Sequence, residues 1–286
     1  MKSPRVGGFV IHGDNADTLE ACLAGLEAVC DDVVAVDSSS SDGSVDIVRR
    51  MGVRSVSKPW QGYGAARQTA VEHLADCDYV FYLDADEWIE RDAQEAMRKA
   101  VHSLDGGPGL RLPRRNWAET QDGERWLYGT DWRFRAIRRD LANWDASMIV
   151  HEALPRMPIP KLRLFIEHHY IRRASSRRTQ KDVLYALLWA VQQANAAKRD
   201  GSPRLKSTSR FLKDFVIKGA AFRGGADALG VCRSVARTHG LRYELLQRAR
   251  AGEFAALQDL YERGELVTFF AHARRRADEL ASTAGV

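Results

Sequence analysis

The stretch at residues 78–89, Asp-Tyr-Val-Phe-Tyr-Leu-Asp-Ala-Asp-Glu-Trp-Ile, constrains the fold of this chain most. Val80, Phe81, Tyr82 and Leu83 form a β-prone apolar run of the length of one buried strand. It ends in three carboxylates, Asp84, Asp86 and Glu87, where the chain would leave a sheet. In open α/β sheets ligands collect outside the carboxyl ends of the strands, so a site is expected here. Asp84 and Asp86 lie two apart and would point the same way in extended chain. Two such carboxylates repel unless a cation lies between them, and hard oxygen ligands favour Mg2+ or Mn2+. A solvated acidic turn before the next helix would also satisfy an isolated Asp-x-Asp.

The segments around this stretch alternate between strand and helix periods. Residues 6–11 predict a first strand, and Leu19, Cys22, Leu23, Leu26, Val29 and Cys30 recur at helical spacing, with Asp17 as N-cap. Residues 32–36 predict a second strand ending at Asp37, followed by the polar run Ser38-Ser39-Ser40-Ser41-Asp42-Gly43. A helix carrying Val45, Ile47, Val48 and Met51 then closes on Gly52, and residues 53–56 give a third strand. Gly62-Tyr63-Gly64 leads into a helix near residues 65–74. Repeated β-α-β units of this length imply an α/β fold, a mostly parallel sheet flanked by helices. After a helix near residues 91–103, residues 110–117 and 132–138 look like strands that complete the sheet. Residues 147–154 and 162–169 are further short apolar stretches. From Ser176 onward only helices are expected, with breaks at Gly201-Ser202-Pro203 and Gly224-Gly225.

Charge divides along the same line. Residues 1–155 carry 18 Lys and Arg against 26 Asp and Glu, whereas residues 156–286 carry 25 against 12. An acidic half suited to a metal thus precedes a basic half suited to anions. The four cysteines lack ligand spacing and read as buried, reduced thiols. No apolar run approaches the ~20 residues of a membrane span, and residues 1–5 lack a signal-peptide core. The expectation is a cytoplasmic protein, with peripheral contact to the inner face of the membrane in view.

Three features stand in order: Asp37 with the Ser38–Gly43 run, Trp60-Gln61-Gly62-Tyr63-Gly64-Ala65-Ala66-Arg67-Gln68, and Leu83-Asp84-Ala85-Asp86-Glu87-Trp88. Together with Val150-His151-Glu152 they resemble the family 2 glycosyltransferases of GT-A fold, and within them the bacterial branch that builds lipopolysaccharide core. The resemblance covers residues 6–190 well and the later helices loosely. There are two departures: Gly13-Asp14-Asn15 stands where the family has Lys-Asn-Glu, and Gln68 where it has Asn. Both lie on the nucleotide side.

The resemblance implies a GT-A-type domain over residues 1–172 and a basic helical region over residues 173–286 that faces acceptor or membrane. It implies transfer of a sugar, with inversion, from a nucleotide-diphosphate donor such as a UDP-sugar to a glycolipid or oligosaccharide acceptor. Asp37, Ser39, Asp42, Arg67, Gln68, Asp84 and Ala85 would hold the nucleotide-sugar, and Asp84 and Asp86 the Mg2+ or Mn2+. Glu152 would be the catalytic base, with Asp131 as fallback and His151 orienting it or contacting acceptor. His168 or His169 is a candidate third metal ligand, though a structural histidine is the commoner case. Of Trp60, Trp88, Trp117, Trp126 and Trp132, Trp88 is the first candidate for a wall stacked on sugar.

Two other classes are weighed against this. A sugar nucleotidyltransferase would want a Gly-rich, Lys- or Arg-bearing loop after its first strand, where this chain has His12-Gly13-Asp14-Asn15. A catalytically silent sugar-nucleotide or glycolipid binder would not need the intact Asp84, Asp86 and Glu152. The basic tail, interleaved with Phe211, Phe215 and Phe222, fits anionic lipid or a solvated helix face, and carries no nucleic-acid reader motif.

Overall fold

The computed structural model describes residues 3–120, 123–126, 130–150, 154, 157–171, 176–196 and 201–283. They fall into two compact units: residues 1–117, 130–147 and 152–170 in the first, and residues 118–129, 148–151 and 171–286 in the second.

The first unit starts with strands β1 (Val6–His12), β2 (Asp32–Asp37), β3 (Arg54–Ser57) and β4 (Tyr79–Asp84), joined by helices α1 (Leu19–Val29), α2 (Ser44–Met51) and α3 (Tyr63–Glu72). These strands lie side by side in the order β3-β2-β1-β4, all parallel. The short β5 (Glu87–Trp88), helix α4 (Arg91–His102), and strands β6 (Gly109–Thr120), β8 (Asp131–Arg138) and β9 (Ile166–Ile171) follow. β8 runs antiparallel to both β4 and β6, and β9 is antiparallel to β5. This mixed sheet flanked by helices, with more helices after it, is the GT-A-type α/β class the sequence implies.

Strand alternation fills both faces. Val6, Val10, Phe81 and Leu83 pack with residues of α1, α2 and α4, whereas Phe9, Val80 and Tyr82 pack with Ala66, Ala70 and Val71 of α3 and with Trp144. The central strand β1 has no room for side chains at its start. A Cβ on Gly7 would lie 2.8 Å from Cys77 Sγ, and one on Gly8 2.9 Å from Cys30 Sγ. All four cysteines are buried, and none forms a disulfide.

One local expectation changes. Thr18, not Asp17, precedes α1, because the Asn15 carbonyl already closes that turn on the N–H groups of Thr18 and Leu19. In the apolar stretch of residues 147–154, Ser147 ends a turn and Ile149 and Val150 form a bend.

In the second unit, β7 (Gly123–Trp126) pairs with the end of β6. Helices α5 (Ser176–Ala194), α6 (Pro203–Leu212), α7 (Ala220–Arg250), α8 (Ala255–Glu262) and α9 (Leu266–Thr283) follow, with a π-helical turn, Lys213–Ile217, after α6. Gln192 on α5 satisfies the irregular backbone at 149–150. Its Oε1 accepts from the N–H groups of Ile149 and Val150, and its Nε2 donates to the Val150 carbonyl. The two glycine-marked breaks are real. Ser202 caps α6 with Pro203 in its first turn, and Gly225 at φ 51° interrupts α7.

Candidate active site

Register brings the candidate residues of the first unit to one end of the parallel strands. His12 pairs with Asp37 across β1 and β2, and Ile11 with Asp84 across β1 and β4. The loops leaving β1 and β2 brace each other. Asp14 Oδ1 accepts from the Ser41 N–H at 2.7 Å and the Asp42 N–H at 3.2 Å, and Asp42 Oδ2 accepts from the Ala16 N–H at 3.0 Å. Asp14 and Ser39 have φ of 56° and 66°, the left-handed region that side-chain residues seldom adopt. The departure at Gly13-Asp14-Asn15 therefore has a visible role: its Asp carboxylate shapes the serine loop. Asp37 lies at the floor of that loop. Its Oδ1 accepts from the Ser40 hydroxyl at 2.5 Å and stands 3.5 Å from His12 Nδ1. Burial holds the His12 pKa below its ordinary value against the pull of Asp37 and Asp42, so this imidazole stays neutral at pH 7.

At the end of β4 three arginines meet two carboxylates. Arg67 Nη2 donates to Asp84 Oδ1 at 3.0 Å, and Arg135 Nη2 lies 3.4 Å from Asp84 Oδ2. Glu87, 1% exposed, accepts from Arg114 at 3.0 Å and Arg135 at 2.5 Å, and its other oxygen takes the Asp84 N–H. The Arg67 and Arg135 guanidiniums both lie over the Tyr82 ring. Burial would raise the Asp84 pKa, but Arg135, Arg67 and Arg114 overcome it and hold the carboxyl far below the usual range. Burial would likewise lower Arg135, yet Glu87 and Asp84 keep it above its ordinary value. Arg114 also lies 3.9 Å from Asp131, which in turn lies 3.9 Å from Arg133.

Between Asp84 and Asp86 the chain is not extended: the backbone turns at Ala85 and Asp86, and β5 then pairs with β9. Asp86 Oδ1 lies 3.5 Å from His168 Nε2. His168 Nδ1 is 2.8 Å from Asn116 Oδ1, and Asn116 Nδ2 donates to Asp131. The amide that gives its N–H to Asp131 offers its oxygen to His168, so the Nδ1 proton points at Asn116 and Nε2 at Asp86. A metal-binding histidine is commonly fixed this way, with its second nitrogen held by an outer partner. Asp86 and His168 thus fit two positions on a hard divalent cation. Among the described residues no group of three or more His, Cys, Asp or Glu converges as a metal cage. A two-residue site suits an ion that takes its remaining oxygens from phosphate and water.

His169 stacks on Trp88 with ring centroids 4.2 Å apart, and Trp88 Nε1 donates to Glu90. Trp117 and Arg115 both donate to the buried Glu167. Trp60 meets Tyr63 edge to face, Trp132 lies near Lys161, and Trp126 lies under Arg223. Gln68 follows Arg67 on α3, and Ala85 is buried between the two aspartates. The expected base Glu152 and its neighbour His151 lie outside the described residues. Sequence inspection passed over Arg114, Arg135, Asn116 and the pairing role of Glu87. Its only trace of them is Arg133-x-Arg135, two arginines on one face of a strand otherwise fit for core.

The family model for glycosyl transferase family 2 matches residues 10–155, just over half of the chain. Over 263 residues the chain is 26% identical to the lipopolysaccharide core biosynthesis glycosyltransferase LpsC of Rhizobium meliloti (strain 1021), covering 88% of this chain and 94% of that protein. An uncharacterized glycosyltransferase of Rickettsia bellii (strain RML369-C) is 30% identical over 95 residues, 33% of this chain and 32% of that protein. Among solved structures, mannosyl-3-phosphoglycerate synthase from Rubrobacter xylanophilus superposes with a TM-score of 0.46 at 15% identity, over 69% of this chain and 78% of that one. The chain belongs to glycosyl transferase family 2.

Proposed function

We propose that this chain transfers a sugar, with inversion, from a nucleotide-diphosphate donor to a cell-envelope glycan, with a UDP-sugar as donor and lipopolysaccharide core as acceptor. The observation that carries this is the convergence of Arg67, Arg114 and Arg135 at the carboxyl end of β4, around Asp84 and Glu87. An anionic diphosphate is the ligand such an oriented, largely buried cluster favours. Similarity to LpsC along most of both chains supports the acceptor class.

Asp37, with Ser39 and Asp42 shaping its loop, would hold the nucleoside. Arg67 would face the diphosphate, with Gln68 and Ala85 beside it. Asp86 and His168 would hold Mg2+ or Mn2+ next to Asp84. The cation, when bound, would neutralise charge on the leaving diphosphate. A carboxylate, Glu152, would accept the proton of the acceptor hydroxyl as its oxygen bonds to the anomeric carbon and the bond to diphosphate breaks. Both bonds change in one displacement, so no covalent intermediate forms. Residues 1–172 would form the transferase domain, and residues 173–286 would face acceptor or membrane on the cytoplasmic side.

Thermal stability measured against a panel of nucleotide-sugars, with and without Mn2+, tests the donor. One sugar nucleotide should raise stability by ~2.7 kcal/mol at a hundred times its dissociation constant, and more strongly with metal. A flat response to every donor would overturn the reading. Glu152→Gln should keep donor binding and slow transfer by ~10²–10⁴-fold. Near-normal turnover would pass the base role to Asp131.

A further inference from the structure

We infer that the outward face of residues 204–223 docks onto an anionic lipid bilayer. Six large apolar side chains are strongly exposed among the described residues, and five of them fall in this segment: Leu205, Leu212, Val216, Ile217 and Phe222. Ile217 is 80% exposed and Phe222 88%. Leu205, Leu212 and Val216 are seven and four residues apart, which places them along one helical face. About a quarter turn away Phe211 and Phe215 are half-buried and stacked at 5.1 Å, and Asp214, on the side away from Leu212 and Val216, is buried. The π turn at Lys213–Ile217 widens the helix by one residue, and Val216 and Ile217 both emerge on the open side.

Charge decides what covers this ridge. Residues 201–223 contain six Lys and Arg (Arg204, Lys206, Arg210, Lys213, Lys218, Arg223) and one acid, Asp214. Asp214 is 1% exposed, paired with Arg210 at 2.5 Å and Lys218 at 3.4 Å. The segment therefore presents no negative charge to solvent, while Arg204, Lys213 and Arg223 stand exposed beside the ridge. A second copy laid on the same face would set these cations against one another. A bilayer with anionic headgroups answers both features: the apolar side chains enter the headgroup–acyl boundary while lysines and arginines meet lipid phosphates. This inference goes further than the membrane-facing role proposed for residues 173–286 and stands independently of the donor, because it uses only the exposure and charge of residues 204–223.

The test is co-sedimentation of the full chain with vesicles of phosphatidylcholine and phosphatidylglycerol, against vesicles of phosphatidylcholine alone. Binding to the anionic vesicles only is expected, weakening as salt rises from ~0.1 to ~1 M and the Debye length falls from ~10 to ~3 Å. The double variant Ile217→Ser, Phe222→Ser should bind at least ~10-fold more weakly with an unchanged melting temperature, since both side chains are solvent-exposed. Lys213→Glu should weaken binding without altering the melt. Equal binding to both vesicle types, unchanged binding by the double variant, or no binding would overturn the inference. So would lipid-free self-association of the wild type that the double variant abolishes, because the face would then belong to a second copy.

Discussion

The first unit and the second each gather cations, by opposite means. At the end of β4, Arg67, Arg114 and Arg135 are each less than a tenth exposed and share Asp84 and Glu87. From α6 to the start of α7, six lysines and arginines accompany one acid, Asp214, which is buried and paired with Arg210 and Lys218. Buried guanidiniums must be paired and held in place, because desolvation penalises any charge left alone. They can therefore present charge to a ligand at defined positions. Exposed cations on flexible stems are screened by salt, and they suit a surface without fixed geometry. The same residue types serve an oriented site in one region and a diffuse field in the other.

Arg135→Met should break the first arrangement with the largest effect. It leaves Glu87 buried beside a single remaining arginine, and an uncompensated buried charge costs about 3–5 kcal/mol in urea unfolding. Lys213→Ala, the matching change on the exposed face, should leave the urea midpoint where it was. Equal losses in the two variants would erase the distinction between the regions.

Arg67→Lys keeps the charge and loses the planar fork that reaches Asp84 and faces the proposed diphosphate. Calorimetry should show donor affinity down by about 10- to 100-fold, the worth of one charge-assisted hydrogen bond. Unchanged affinity would move the diphosphate away from Arg67.

The smallest effect probes the field of the second cluster through His239. Burial first, then Arg210, Arg242 and Lys206, lower its pKa to about 4. The unfolded chain takes up this proton near pH 6.5 while the folded chain refuses it until about pH 4. Between those values the unfolded state binds more protons, so stability rises with pH across that window and is lost as pH falls through it. With allowance for solvent screening of a half-buried ring, the loss is about 1–2 kcal/mol. His239→Gln should remove this slope from urea midpoints measured between pH 6.5 and pH 4; an unaltered slope would show that the loss of stability arises at another group.

Much of the fold was legible locally. The apolar runs of β1, β2 and β4, the glycine that ends α2 at φ 72°, and the Ser202-Pro203 start of α6 are each written within a few residues. The amphipathic tail was harder. Phe211, Phe215 and Phe222 interleave alike with the basic residues, yet the first two are half-buried and stacked whereas Phe222 is exposed, with a π turn ending at Ile217 on the way. No residue type signals that turn.

The sequence by itself determined the order of strands and helices, the carboxylates after β4 and the basic bias of the second half, since each depends on neighbours in the chain. Tertiary structure alone decided which charges meet. Glu87 finds Arg114 27 residues away and Arg135 48 residues away, and His168 finds Asn116 at a separation of 52. Those pairings depend on the register of β6 against β8 and of β5 against β9, with a bulge between Leu110 and Arg111. Register is set by how whole sheet faces pack, and a shift of one residue would turn each arginine to the other side.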